Sequence, residues 1–172
     1  MKRHEKLFLV AFIFALGFDL GATVSLCQAG EKNESNPLAP FEKFIGGKWE
    51  MQGSVQVLEW GVGKLSVVAK SYFVVEGKEK LVSQGAWFWH PGRKEIVGYF
   101  TAIEMPFVMI EYATRFEGDK MINELTSYSA DGAAQNFQEV WGLTSKNKYV
   151  WTLYSKTGDG LQKYMSGEFV RK

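Results

Sequence analysis

The chain has 172 residues, of which 46% are hydrophobic and 15% aromatic, with 20 basic and 19 acidic side chains. That length suits one domain with a sizeable core. A net charge of +1, with both signs interspersed, leaves no electrostatic footprint for nucleic acid or for an anionic membrane surface.

Residues 1–29 read as a cleaved signal peptide. Lys2, Arg3 and Lys6 give a basic start, an apolar run covers 7–18, and Cys27-Gln28-Ala29 ends in the small residue that signal peptidase favours. Asp19 interrupts the apolar run before it reaches the ~20 residues of a membrane-spanning helix, so no integral span is expected after processing. The mature chain then loses three basic and two acidic residues, leaving 17 of each. It is expected in the periplasm or secreted. The alternative is a lipid anchor through Cys27, although Leu26 stands where lipoprotein signals carry a small residue. Cleavage after Ala29 removes the only cysteine, and with it disulfide and thiol chemistry.

Residues 30–40 are polar, with Pro37 and Pro40, and read as a flexible leader. The domain is expected over 41–172. Phe41, Phe44 and Ile45 recur at helical spacing and predict a short helical turn that plugs one end of the fold. Gly46-Gly47 breaks it, and Trp49 opens the first strand.

From there turn signals recur at Gly77, Gly92, Met105, Gly118, Asp131, Lys146 and Gly158, spaced 12 to 15 residues apart. No helix-length amphipathic stretch fits between them. The intervals 49–53, 54–60, 64–75, 81–89, 94–103, 107–116, 121–128, 134–141, 149–154 and 161–170 are rich in β-branched and aromatic residues. The fold class is therefore all-β, an antiparallel up-and-down meander of about ten strands. Left open, so long a meander exposes its edges, so closure into a barrel is expected, with a two-sheet sandwich as the alternative. Phe107-Val108-Met109-Ile110 and Ala86-Trp87-Phe88-Trp89 lack a clean polar face, which implies cover on both sides and raises a homodimer as one source of it.

Gly47-Lys48-Trp49 after a helical turn, followed by a meander that ends at Arg171, resembles the calycin barrels: lipocalins, fatty-acid-binding proteins and the nitrobindin-like families. The resemblance runs from about residue 41 to the end. It implies that Gly47, Trp49 and Arg171 are a structural signature, with the guanidinium packed across the tryptophan at about 0.5 to 2 kcal/mol. It also implies a cavity for one small molecule. In the nitrobindin-like branch a histidine on the last strand holds haem, and the matching residue in Gln162-Lys163-Tyr164-Met165-Ser166 is Tyr164. Neutral imidazole is the common haem ligand and tyrosine must ionise to replace it, so no cofactor is expected, haem included.

The remaining chemistry is sparse. His90, the sole histidine of the mature chain, precedes Pro91-Gly92 and belongs to a hairpin tip. With no cysteine and no second histidine, zinc and copper sites lack their usual ligands, and no metal or catalytic residue is assigned. Gly61-Val62-Gly63-Lys64 lacks the strand-loop-helix context of a phosphate loop and reads as a turn. Among the strand glutamates Glu104, Glu111, Glu124 and Glu139, Glu111 has the most apolar neighbours; pointing inward its pKa would rise, and pointing outward it would pair with a base such as Arg115. The expected function is non-enzymatic binding of a small apolar or amphipathic ligand, with Trp87, Tyr99, Glu111, Trp151 and Tyr164 as candidate lining residues. Alternatives are an isomerase- or hydrolase-type enzyme in the same barrel, or an interaction module with a filled core.

Overall fold

The computed structural model describes residues 36–158 and 160–172. The expected signal segment, Cys27 and most of the leader lie outside the described residues. After a 3₁₀ turn at Ala39–Lys43 come ten strands: β1 (Trp49–Met51), β2 (Ser54–Trp60), β3 (Ser66–Val75), β4 (Lys78–His90), β5 (Glu95–Ala102), β6 (Met109–Glu117), β7 (Lys120–Tyr128), β8 (Ala134–Ser145), β9 (Lys148–Thr157) and β10 (Gly160–Arg171). Consecutive strands pair antiparallel, and β1 also pairs with β10 through Trp49↔Arg171 and Glu50↔Val170. The sheet is therefore a closed barrel, and the sandwich alternative is ruled out.

Closure gives the molecule a floor and a mouth. The floor is where β1 begins and β10 ends; the β3–β4, β5–β6, β7–β8 and β9–β10 turns ring the mouth. Side chains alternate between lumen and exterior with period two, and the register carries each inward row around the barrel. Gly98, Tyr112, Leu125 and Phe137 make one such row, and Thr114, Asn123 and Glu139 the row below it.

The floor is sealed by the N-terminal segment. The Phe41 ring lies 5.2 Å from Trp87 and 5.0 Å from Phe116, and Phe44 lies 5.8 Å from both Trp141 and Tyr149. Leu38, which the sequence assigns to the leader, is also buried in this core, at 1% exposure. Its placement has a local cause: the Asn36 carboxamide oxygen accepts a hydrogen bond from the Leu38 backbone N–H (2.9 Å), and Asn36 Nδ2 donates to the Lys64 carbonyl (3.2 Å). A turn built by asparagine aims the one large aliphatic residue of a polar stretch into the barrel.

The seam is finished by the Gly47-Lys48-Trp49 segment. Gly47 has φ +71°, and a Cβ there would meet the Lys172 carbonyl oxygen at 2.8 Å, so glycine is required on both counts. Trp49 is fully buried, its indole N–H donating to the Phe44 carbonyl at 2.7 Å. Arg171 lies across its ring, the guanidinium carbon 4.2 Å from the ring centre, and donates to the Lys43 carbonyl.

Candidate functional site

Glu139 is the only charged side chain among the described residues that is buried. β8 presents Phe137, Glu139, Trp141 and Leu143 to the lumen, so the carboxylate interrupts an otherwise apolar row. Neutral donors from the neighbouring strands hold it. Asn123 Nδ2 on β7 donates to Glu139 Oε2 at 2.7 Å, and Trp151 Nε1 on β9 donates to Oε1 at 2.5 Å. Thr114 Oγ1 on β6 donates in turn to Asn123 Oδ1 at 2.7 Å. A four-residue polar chain thus spans β6 to β9 across the middle of the barrel.

No lysine, arginine or histidine forms an ion pair with Glu139 among the described residues. Burial pushes its carboxyl above the ordinary value, and the hydrogen bonds from Trp151 and Asn123 offset part of that rise. Burial and the same carboxylate hold the Tyr112 and Tyr149 phenols well above their ordinary value, so both stay neutral. Tyr149 donates to Gln56 Oε1 at 2.6 Å, while the indole N–H groups of Trp87 and Trp141 are buried with no hydrogen-bond acceptor.

Below the Glu139 row the lumen is packed with rings. Trp141 stacks on Tyr149 at 5.0 Å and Tyr149 on Phe169 at 4.9 Å, while on the β4–β5 wall, in the Gly98 row and the one above it, Trp87 lies 4.6 Å from Phe100. On the β8–β10 side the inward-facing Phe137 above that row, Leu153 level with it and Trp151 just below it are only half-buried, and Met165, opposite Leu153, is 46% exposed. Solvent therefore reaches down the β8–β10 wall to the level of the carboxylate.

The expected lining residues separate into three places. Trp87 faces the lumen but is 2% exposed and belongs to the packed core, wedged against Gly98, where a Cβ would lie 2.6 Å from its ring. Trp151 faces the lumen and touches the carboxylate. Tyr164 sits at a β-bulge where the β9–β10 register shifts between Lys163 and Met165; it is 66% exposed near the mouth, its ring 6.3 Å from Phe137. Tyr99 and Glu111 face the exterior, because their row alternates with the inward Gly98, Phe100, Ile110 and Tyr112. They line an outer cleft of about 200 Å³ with Arg93, Glu95, Glu124 and Lys156.

In that cleft most charges already have partners. Arg93 pairs with Glu95, and Glu124 receives Arg115, Gln138 and Lys156. Burial alone would raise the Glu124 pKa, but the hydrogen bonds from these three donors outweigh it and hold the carboxyl below its ordinary value. Arg115 therefore serves Glu117 and Glu124, while Glu111 accepts the Tyr128 hydroxyl at 3.3 Å. Phe88 and Tyr99 stack at 6.0 Å on the same outer face, beside Val97, which is 3% exposed. This pairing covers part of the apolar exterior noted in the sequence.

His90 ends β4 at the floor and its Nδ1 accepts the Arg93 backbone N–H at 3.2 Å. The 61–64 segment is a turn between β2 and β3 containing a short 3₁₀ stretch, Val62–Lys64. Among the described residues no group of three or more His, Cys, Asp or Glu side chains is arranged to hold a metal ion, and no helix is long and apolar enough to cross a membrane. Comparison with protein-family models and with curated proteins finds no match to this chain.

Glu139 is the residue that sequence reasoning passed over in favour of Glu111. The signal was present: at period two, Phe137, Trp141 and Leu143 form an apolar row that includes Glu139, whereas Glu111 shares its row with Arg115.

Proposed function

We propose that this chain is an exported, calycin-type barrel that binds one small amphipathic molecule in the upper lumen, without catalysing a reaction. The observation that carries the reading is the half-buried inward wall of Phe137, Trp151 and Leu153 lying beside a single buried carboxylate. Apolar surface there receives the body of a ligand, and Glu139 with its donors fixes the orientation of a polar end. Export rests on the basic and apolar pattern of the first 29 residues. The calycin assignment rests on the closed barrel together with the Trp49–Arg171 stack across the seam.

The test is a fluorescence titration with the neutral dye N-phenyl-1-naphthylamine, paired with native mass spectrometry of protein purified from its own source. Saturable binding at one dye per chain, lost on filling the wall with Leu153→Trp, is the expected result. An empty chain that binds no dye overturns the reading. That outcome favours the second one, an interaction module with a filled core, which the ring packing beneath Glu139 supports.

A further inference from the structure

The lumen holds one buried carboxyl, and no base among the described residues pairs with it. Glu139 is 7% exposed and lacks a basic partner, and every group bonded to it is a neutral N–H donor. Three acidic residues at other strand positions, all more exposed, do have basic partners. Glu124 is held by two cations, Glu95 by Arg93, and Glu168 by Lys148. A buried carboxylate without a counter-ion is costly, and the cost falls when a cation arrives with the ligand.

The surroundings suit a cation as well. The rings of Tyr112, Trp141 and Trp151 belong to the inward rows beside Glu139, and aromatic faces attract positive charge through their quadrupoles. Arg171, at the floor seam, is committed to the Trp49 face and the Lys43 carbonyl. An incoming carboxylate would meet Glu139 with no base beside it, and two like charges in a poorly hydrated space repel strongly.

We infer that the ligand of this lumen is a cationic amphiphile: an alkyl or aryl body carrying a primary ammonium group, which pairs with Glu139 while its apolar part lies along Phe137 and Leu153. The selectivity is against fatty acids and other anionic amphiphiles. The inference rests on the lumen-binding reading above and adds the charge of the ligand to it.

Three chain-matched probes test it, each measured by displacement of N-phenyl-1-naphthylamine: decylammonium, decanol and decanoate. Decylammonium is expected to bind about tenfold or more tighter than decanol, with decanoate weaker than both. In Glu139→Gln the three affinities should converge to within about threefold, because an uncharged amide keeps the shape and loses the ion pair. Glu111→Gln, on the outer face, should leave the ranking unchanged. The Trp151 indole N–H resonance provides a readout in the unmodified protein, and it should shift with decylammonium more than with decanol.

Decanoate binding as tightly as decylammonium overturns the inference and leaves lumen binding standing. So does an ammonium preference that survives in Glu139→Gln or disappears in Glu111→Gln. Should Glu139→Gln fail to fold, the wild-type ranking and the Trp151 resonance decide the matter alone. Dye displacement by none of the three, with no dye binding at all, overturns this inference and the lumen reading together.

Discussion

Replacing Glu139 by glutamine should change how stability depends on pH while leaving the hydrogen-bonded chain intact. The amide offers one acceptor and one donor group. With its oxygen taking the Trp151 N–H, its NH₂ faces Asn123, which turns over so that its own oxygen accepts and its NH₂ donates to the Thr114 hydroxyl. All three links survive with the Asn123 link reversed, so Glu139→Gln should fold. Glu139→Ala instead strands two buried donors, at about 1–3 kcal/mol each, and should lose roughly 2–6 kcal/mol before any cavity cost.

The pH signature follows from the sign of the shift. Burial raises the native carboxyl above its value in the unfolded chain, so the native state holds this proton more tightly. Stability from that proton is complete below the unfolded pKa, near 4.5, and is lost as pH rises through the native pKa. One proton limits the slope to about 1.4 kcal/mol per pH unit. The other carboxylates contribute equally to both proteins and cancel in the difference. Urea denaturation of the two proteins from pH 4 to pH 8 should therefore show Glu139→Gln gaining on the wild type as pH rises, then levelling off. A difference that stays constant, or moves the other way, would refute the placement of an unpaired carboxylate in the lumen.

Three further outcomes follow from the packing. Arg171→Met removes a cation stacked at 4.2 Å on Trp49 and leaves the Lys43 carbonyl without its guanidinium donor, so it should cost about 2 kcal/mol in chemical denaturation. Gly98→Ala drives a methyl to within 2.6 Å of the Trp87 ring; a loss of about 1–3 kcal/mol with a shifted tryptophan emission is expected, and unchanged emission would place Trp87 elsewhere. Phe41→Ala opens a hole between Trp87 and Phe116 at the floor and should cost about 3–5 kcal/mol, whereas a plug that contributes nothing to the core would show under 1 kcal/mol.

The barrel was legible because its turns are chemically marked. Gly77, Gly118 and Gly132 occupy positive φ, and the β-rich intervals between such residues leave no room for helices. Which row of each strand faces inward was harder to read. In β6 both Tyr112 and its neighbours Met109 and Ala113 are compatible with burial, and the decision comes from β5, where Gly98 opposes Tyr112 across the ladder and makes room for Trp87. Cross-strand register is a property of two segments at once, so a strand taken singly does not reveal it. Leu38 escaped for a related reason: its burial depends on Asn36 closing a turn against Lys64, 28 positions further along the chain. The β10 bulge that exposes Tyr164 likewise depends on β9, whose Tyr154 and Leu153 oppose Lys163 and Met165 and leave Tyr164 unpaired.

The seam between β1 and β10 has a consequence for how the chain is made. Nine other ladders join neighbours in sequence and can form as synthesis proceeds, but the closing one joins Trp49 in the first strand to Arg171 at the end of the tenth. Until β10 emerges, the nascent product is an open sheet with two unsatisfied edges, and an unsatisfied edge templates pairing with other chains. Arg171 and Lys172 then lock the ring, through backbone bonds to Asn147 and Lys48 as well as the stack on Trp49. A variant in which Arg171 and Lys172 cannot make these contacts would retain nearly all of its strands and lose the latch, and it should be recognised in a cell by its tendency to aggregate before any loss of secondary structure is visible.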